Sequence, residues 1–143
     1  MNVNIIDSGY GNIGSVINML KKVDVAARVC TDSKLIKNAS HIILPGVGSF
    51  DAGIKGLYER GFYDVIQNEI KTYQIPVLGI CLGMQLLFNG SEEGFTSGLG
   101  IFDNKLEKID PTNSDQTLKV PHMGWNFVNF SENSKLGNGF QED

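Results

Sequence analysis

The segment Gly79-Ile80-Cys81-Leu82-Gly83 is the strongest local signal in the chain. A strand with apolar residues on both faces, and therefore buried on both, is predicted to end there, and a helix is predicted to begin near Leu82. A nucleophile between small residues at such a junction is typical of a nucleophile elbow. The glycines fit this interpretation because larger neighbours would clash with a nucleophile held in a strained turn. A buried cysteine between packing glycines is the alternative that the pattern leaves open.

The chemistry of this stretch follows from the predicted helix. Its N-terminal N–H groups would favour the Cys81 thiolate, and the backbone of Leu82 would offer a donor to an oxyanion. Cys30 has no glycine frame and ends an ordinary predicted strand, so it is predicted to be a core residue.

On both sides of this segment, short apolar runs alternate with segments of helical period. This alternation predicts parallel βαβ units in an α/β three-layer sandwich with a mostly parallel central sheet. Ser33 is predicted to cap a short helical piece. Glycine-rich turns after Asn89 predict a mixed or antiparallel region through about Phe130. The predicted strands are residues 3–6, 25–30, 41–44 and 76–80, and the longer predicted helices are residues 13–20 and 51–73, the latter broken near Gly61.

Composition narrows the class of protein. The 143 residues, 41% of them hydrophobic and 20% charged, predict a single domain over residues 1–143 with a core of ordinary size. The net charge of −4, without a basic run, argues against nucleic-acid and membrane partners. The two cysteines are far apart in the sequence, so we expect neither a disulfide nor a zinc site. No signal-peptide pattern and no long apolar run is evident, so we expect a cytoplasmic protein.

A second glycine motif permits a different function. Gly9-Tyr10-Gly11-Asn12-Ile13-Gly14 matches GxGxxG between a strand and a helix, and Asp32 lies near the position of a ribose-binding acid. This pattern alone would indicate a dinucleotide site. Against it, the bulk of Tyr10 and Asn12 lies where a pyrophosphate must approach closely.

Further candidates lie at the turn after the third strand and in the C-terminal region. Pro45-Gly46-Val47-Gly48 allows a backbone amide to turn inward as an oxyanion donor, although a plain tight turn is equally compatible with it. The chain has two histidines, His41 and His122, as potential bases. His41 begins a strand and is predicted to face solvent or the core. Trp125, the one tryptophan, is compatible with two roles, an anchor in the core or part of a docking surface.

Taken together, these segments resemble the class I glutamine amidotransferases, and most closely the glutaminase subunits of imidazole glycerol phosphate synthases. The resemblance implies a flavodoxin-like α/β fold without a cofactor or metal, and it removes the dinucleotide meaning of the first glycine motif. The matching segments, in family order, are Asp7-Ser-Gly-Tyr-Gly-Asn-Ile, Leu44-Pro-Gly-Val-Gly-Ser-Phe, Gly79-Ile-Cys-Leu-Gly-Met-Gln-Leu-Leu-Phe, Ser91-Glu-Glu-Gly, Gly98-Leu-Gly and Val120-Pro-His-Met-Gly-Trp-Asn.

The resemblance also implies roles for individual residues. Cys81 would attack the side-chain amide of glutamine to form a γ-glutamyl thioester, and the backbone N–H groups of Val47 and Leu82 would form the oxyanion hole. Ammonia would then pass to a (β/α)₈ cyclase subunit in a heterodimer that makes imidazole glycerol phosphate for histidine biosynthesis. The implied glutamine-binding residues are Gly46, Gly48, Gln85 and Glu93, and the implied partner face comprises Asn12, Met123, Trp125 and Asn126.

The sequence departs from the family pattern in two places, and the larger departure, the second, changes the expected activity. The usual Asp-Tyr-Gly opening is Asp7-Ser8-Gly9 here. The family's catalytic histidine and glutamate occur in a His-Pro-Glu segment that this sequence does not contain, so the fold is expected to be incomplete at the C-terminus. Without general acid–base help, typically worth ~10²–10⁴ in rate, the chain as written is expected to hydrolyse glutamine poorly.

A fragment of a longer protein is the first explanation for the missing segment. Two alternatives remain open from the sequence. One is a paralogous subunit that feeds ammonia to another acceptor, such as a bacterial surface sugar. The other is a non-catalytic fragment that binds the partner.

Overall fold

The computed structural model describes residues 2–36, 39–113, 120–121, 123–131 and 134–137. These residues fall into two compact units, one within residues 1–108 and the other within residues 109–143. The first unit contains strands β1 (Val3–Ile6), β2 (Ala27–Cys30), β3 (His41–Gly46), β4 (Val77–Cys81), β5 (Phe88–Ser91) and β6 (Phe102–Leu106), and helices α1 (Ile13–Lys22), α2 (Phe50–Glu59), α3 (Tyr63–Lys71) and α4 (Leu82–Gln85). Short 3₁₀ turns cover Ser33–Leu35 in the first unit and Pro111–Asn113 and Lys135–Gly137 in the second.

The central sheet has the order β2-β1-β3-β4, and each neighbouring pair is parallel. Parallel strands place their carboxyl ends at one edge of the sheet, where ligands bind in open α/β folds. The register brings Gly46, at the end of β3, opposite Cys81, at the end of β4. The predicted parallel sheet with flanking helices is therefore confirmed.

Two apolar cores cover the two faces of the sheet, which produces the three predicted layers. Strand β1 shows the division, because Ile6 faces a large core with α2 and α3, whereas Val3 and Ile5 face a smaller core with α1. Helix α1 contributes one stripe of residues at helical spacing to the smaller core, and these residues are Ile13, Val16, Ile17 and Leu20. In the part of the chain that the structure describes, no helix is long and apolar enough to cross a membrane.

Two local predictions were wrong. Strand β4 is not buried on both faces, because it lies at the edge of the described sheet, where Leu78 is 43% exposed and Ile80 is 39% exposed. The short turn after β2 is capped by Asp32, not Ser33, because the Asp32 side chain lies one position earlier and accepts a hydrogen bond from the Lys34 N–H.

The region after Asn89 also differs from the prediction. Strands β5 and β6 pair in parallel, with an irregular register between Phe88 and Gly90, where a mixed or antiparallel arrangement was expected. The connection of ten residues between them is long enough to return the chain to the start of β5. It packs closely there, since the Leu99 N–H donates to the Leu86 carbonyl and the Gly98 N–H to the Asn89 carbonyl.

Candidate active site

The backbone at Cys81 has the geometry of a nucleophile elbow. Cys81 has φ of 54° and ψ of −118°, and helix α4 begins at the next residue, Leu82. A non-glycine residue in such a conformation costs of order 1–3 kcal/mol and persists only where its surroundings hold it. The strained turn that the sequence predicts is therefore present, and it leaves the Cys81 side chain exposed and unpaired.

Close backbone packing explains the glycines around the thiol. A Cβ on Gly83 would overlap the Leu44 carbonyl oxygen of β3, and a Cβ on Gly79 would overlap the Met84 backbone. On the neighbouring strand, a Cβ on Gly46 would lie 2.7 Å from the Gly83 amide nitrogen. The approaches at Gly83 and Gly46 hold the elbow against the end of β3, and the approach at Gly79 holds α4 against β4, so crowding accounts for the pattern.

The turn after β3 supplies a second set of backbone amides beside the elbow. In this structure the Val47 N–H donates a hydrogen bond of 2.9 Å to the Tyr10 carbonyl. The donor predicted for an oxyanion is thus occupied by the β1–α1 loop. Gly48 follows with φ of +107°, a conformation that L side chains rarely adopt.

The β1–α1 loop is itself fixed by contacts with α2. Arg60 forms an ion pair with Asp7 at 3.1 Å and donates a second hydrogen bond to the Asp7 carbonyl at 3.0 Å. The Tyr10 ring packs over Gly56, where an added Cβ would lie 2.8 Å from the ring. These contacts hold the carbonyl that accepts from Val47, and no sequence pattern indicates the roles of Arg60 and Gly56 in them.

The same loop lacks the packing expected of a dinucleotide motif. The third glycine of that fingerprint normally allows close contact between helix and strand, but Gly14 is exposed and a Cβ there would meet nothing within 4 Å. Asn12 caps α1 through a hydrogen bond from the Ser15 N–H, and the Asp32 carboxylate is engaged by Lys34. The geometry therefore does not support the dinucleotide interpretation.

The predicted glutamine-binding residues lie on three segments of the first unit. Gly46 and Gly48 flank the turn after β3, and Gln85 is half-buried at the end of α4. Glu93 is exposed on the loop after β5, and its N–H donates to the Ser91 hydroxyl at 3.1 Å.

One further residue connects two of these segments. Asp51, in the first turn of α2, accepts hydrogen bonds from the backbone of Phe95 and Thr96. Neither spacing nor residue type indicates this contact, because its partners lie more than forty residues away in the sequence.

The histidines do not join Cys81 in the described part of the chain. His41 is exposed at the start of β3, as expected, and hydrogen-bonds with the Ser40 hydroxyl. It lies five residues before Gly46, which corresponds to about 17 Å along a strand. His122 lies outside the described residues.

The predicted partner-face residues are all solvent-exposed. Asn12 is exposed in the first unit, and Met123, Trp125 and Asn126 are exposed in the second. Trp125 is fully exposed, so the core-anchor interpretation is wrong.

Both the sequence and the fold are similar to those of known glutamine amidotransferases. The family model described as glutamine amidotransferase class-I matches residues 4–142, and the chain belongs to this family. A solved structure described as a glutamine amidotransferase supports the fold, with a TM-score of 0.62 and 19% identity over 73% of this chain and 55% of that one.

Relatives with higher sequence identity share one name, the HisH subunit of imidazole glycerol phosphate synthase. The chain is 46% identical to imidazole glycerol phosphate synthase subunit HisH 2 of Methanococcus maripaludis, covering 97% of this chain and 67% of that protein. It is 40% identical to subunit HisH of Leptospira interrogans, covering 94% and 66% respectively. The subunit HisH 2 of Pseudomonas aeruginosa is 44% identical over 87% of this chain and 60% of that protein. The chain thus spans about two thirds of the length of the curated relatives it matches.

Proposed function

We propose that the protein is the glutaminase subunit of an imidazole glycerol phosphate synthase, and that Cys81 is its nucleophile. The observation that carries this proposal is the strained backbone at Cys81, opposite the glycine turn of β3. A strained conformation at an exposed thiol has no evident packing purpose, whereas it suits a nucleophile presented to a substrate. The family membership and the names of the relatives support the choice of substrate.

The proposed reaction begins when the Cys81 thiolate attacks the side-chain amide carbon of glutamine. The amide nitrogen takes up a proton and leaves as ammonia, which produces a γ-glutamyl thioester. Water then hydrolyses the thioester to glutamate and restores the thiol. Gly46, Gly48, Gln85 and Glu93 would hold the substrate during both steps.

Negative charge develops on the carbonyl oxygen during the attack, and we assign its stabilisation to the N–H groups of Val47 and Leu82. Leu82 is the first residue of α4, so its N–H has no intrahelical acceptor. The Val47 N–H must first leave the Tyr10 carbonyl, and the peptide that carries it follows Gly46, which has no side chain to oppose its rotation.

The chemical part of this proposal is tested by covalent labelling. A chloroketone analogue of glutamine should alkylate Cys81, and millimolar glutamine should slow the labelling, as mapped by peptide mass spectrometry. Cys81→Ser should remove the label, whereas Cys30→Ser, the matched cysteine control, should keep it. Labelling that glutamine does not slow, or that occurs equally at both cysteines, would contradict the assignment.

The partner in this proposal is a (β/α)₈ cyclase subunit that receives the ammonia in a heterodimer. The exposed Met123 and Trp125 support it, because large apolar side chains in solvent often mark a protein interface. Trp125→Ala should weaken binding to the cyclase by about 30-fold, a typical effect for a tryptophan hot spot, in isothermal titration calorimetry. Tyr73→Ala, at an exposed aromatic of the first unit, serves as the control. Equal affinities of the two variants would contradict the partner face.

The two unpaired thiols, Cys30 and Cys81, suit a reducing compartment. This observation supports placing the proposed activity in the cytoplasm.

A further inference from the structure

We propose that Asp51 is a positioning residue that holds the loop of residues 91–98 against α2 and thereby sets the affinity for glutamine. This inference rests on the proposed function, because it takes Glu93 of that loop as a glutamine-binding residue. Four hydrogen bonds converge on the Asp51 carboxylate. The Phe95 N–H donates to both oxygens at 3.0 and 3.1 Å, and Thr96 donates to Oδ1 from its N–H at 3.0 Å and from its hydroxyl at 2.7 Å.

These bonds join the outer part of the loop to a different element of the fold. Other backbone hydrogen bonds lie nearer the two ends of the loop, from the N–H groups of Glu92, Gly94 and Gly98 to the carbonyls of Leu106, Ser91 and Asn89, and the Gly98 carbonyl accepts a further bond from the Tyr63 hydroxyl of α3. Such contacts fix the base of the loop, whereas the Asp51 contacts fix its tip to α2. The Phe95 side chain is fully exposed there, so side-chain packing does not hold the tip.

The position of Asp51 connects both proposed glutamine-binding segments. It lies in the first turn of α2, three residues after Gly48, and Glu93 lies two residues before Phe95. Movement of Glu93 relative to the Gly48 turn is therefore limited by the carboxylate. Backbone packing supports a fixed distance, because a Cβ on Gly94 would lie 2.5 Å from the Asp51 Oδ1.

The charge of Asp51 strengthens the tether. Hydrogen bonds from the Thr96 amide and hydroxyl and from the Phe95 amide lower the pKa of Asp51 below its usual value. The carboxylate is consequently ionised at neutral pH, and hydrogen bonds to an ionised acceptor are stronger than those to a neutral one.

The test compares Asp51→Asn with Asp64→Asn, a matched control at an exposed aspartate in the first turn of α3. Two quantities are measured on each protein: hydrogen exchange at the Phe95 and Thr96 amides, and the glutamine concentration that halves chloroketone labelling of Cys81. In Asp51→Asn we expect both amides to exchange about tenfold faster. We also expect the half-protecting concentration, which is the glutamine concentration that halves the labelling, to rise about tenfold, because the variant loses hydrogen bonds to a charged acceptor. Asp64→Asn should change neither quantity.

A second variant approaches the same contact from the loop. Thr96→Val removes the hydroxyl donor and keeps the amide, so it should raise the half-protecting concentration by about threefold. The rate at which iodoacetamide alkylates Cys81 should remain unchanged in all variants, since the hydrogen bonds that the variants alter run between Asp51 and the loop and do not include Cys81.

Faster exchange in Asp51→Asn with an unchanged half-protecting concentration would overturn the inference while leaving the proposed function intact. Unchanged exchange at Phe95 and Thr96 would also overturn it. Absence of glutamine protection in the unmodified protein would instead remove the proposed function and this inference with it.

Discussion

Cys30 and Cys81 each end a strand of the same parallel sheet, at the edge formed by the carboxyl ends of the strands. Their surroundings nevertheless differ in burial and in backbone conformation. Cys30 ends β2 and is fully buried in the larger core. Burial raises the pKa of its thiol, although the nearby Arg28 opposes the shift. Cys81 ends β4 in a strained conformation and is exposed.

The difference shows that the backbone around a cysteine, more than the residue itself, determines its chemical role. Gly79 and Gly83 permit the close approach that forces the turn at Cys81, whereas Ala27-Arg28-Val29-Cys30 is an ordinary strand.

The largest effect is expected at Gly83. Gly83→Ala would place a methyl group on the Leu44 carbonyl oxygen, so the elbow and β3 must separate. We expect a loss of about 3 kcal/mol or more in the free energy of unfolding, measured in urea. Gly14→Ala is the control, since Gly14 in α1 meets nothing within 4 Å and the change should stabilise the helix slightly. Similar stabilities for the two variants would show that the elbow is not closely packed.

Gly48→Ala tests the turn beside Cys81. Its φ of +107° strains any L side chain, although its nearest neighbour, the Tyr10 ring, leaves space for a methyl group. The strain should reduce the free energy of unfolding by about 1–3 kcal/mol in the same urea titration. A fully stable variant would indicate that this turn adopts another conformation in solution.

The buried thiol predicts a dependence of stability on alkaline pH. The folded-state pKa of Cys30 lies above its usual value of 9.0, so unfolding releases a proton once the pH exceeds 9.0. The contribution of Cys30 to stability should therefore be constant below pH 9.0 and fall above it, by at most about 1.4 kcal/mol per pH unit. Cys30→Ala should remove this component of the slope in thermal unfolding between pH 8 and 10. An identical slope in both proteins would contradict burial of the thiol.

The smallest effect is expected at the pair of Arg60 and Asp7. Their side chains are 39% and 27% exposed, so Arg60→Ala should cost no more than about 1 kcal/mol, and less at high salt. The more exposed pair of Lys55 and Glu59 provides the comparison, and Lys55→Ala should be nearly neutral. A larger loss on Arg60→Ala would mean that the β1–α1 loop depends on this contact more than its exposure suggests.

Local patterns sufficed to predict the parallel sheet and the elbow because both are encoded by neighbouring residues. The apolar run before Cys81 and the glycines beside it specify the strand and the turn together. The exposure of β4 could not be predicted in this way, because an edge position depends on which strands are adjacent in space. The parallel pairing of β5 and β6 was missed for the same reason.

The contacts that organise the site were the least predictable. Asp51 reaches Thr96, and Arg60 reaches Asp7, across long sequence separations. The hydrogen bond from the Val47 N–H to the Tyr10 carbonyl could not be predicted either, because it joins backbone groups and does not depend on residue type.

The most direct test of the account is the rate of iodoacetamide alkylation at Cys81 and Cys30, resolved by peptide mass spectrometry in the same native sample. Cys30 can react only in molecules whose core has opened. An opening free energy of about 4 kcal/mol makes its alkylation roughly a thousandfold slower than that of an exposed thiol. The account predicts that Cys81 reacts faster by about this factor and that the two rates converge in denaturing urea. Equal rates in the native protein would contradict the claim that the strained turn makes Cys81, and not Cys30, the accessible nucleophile.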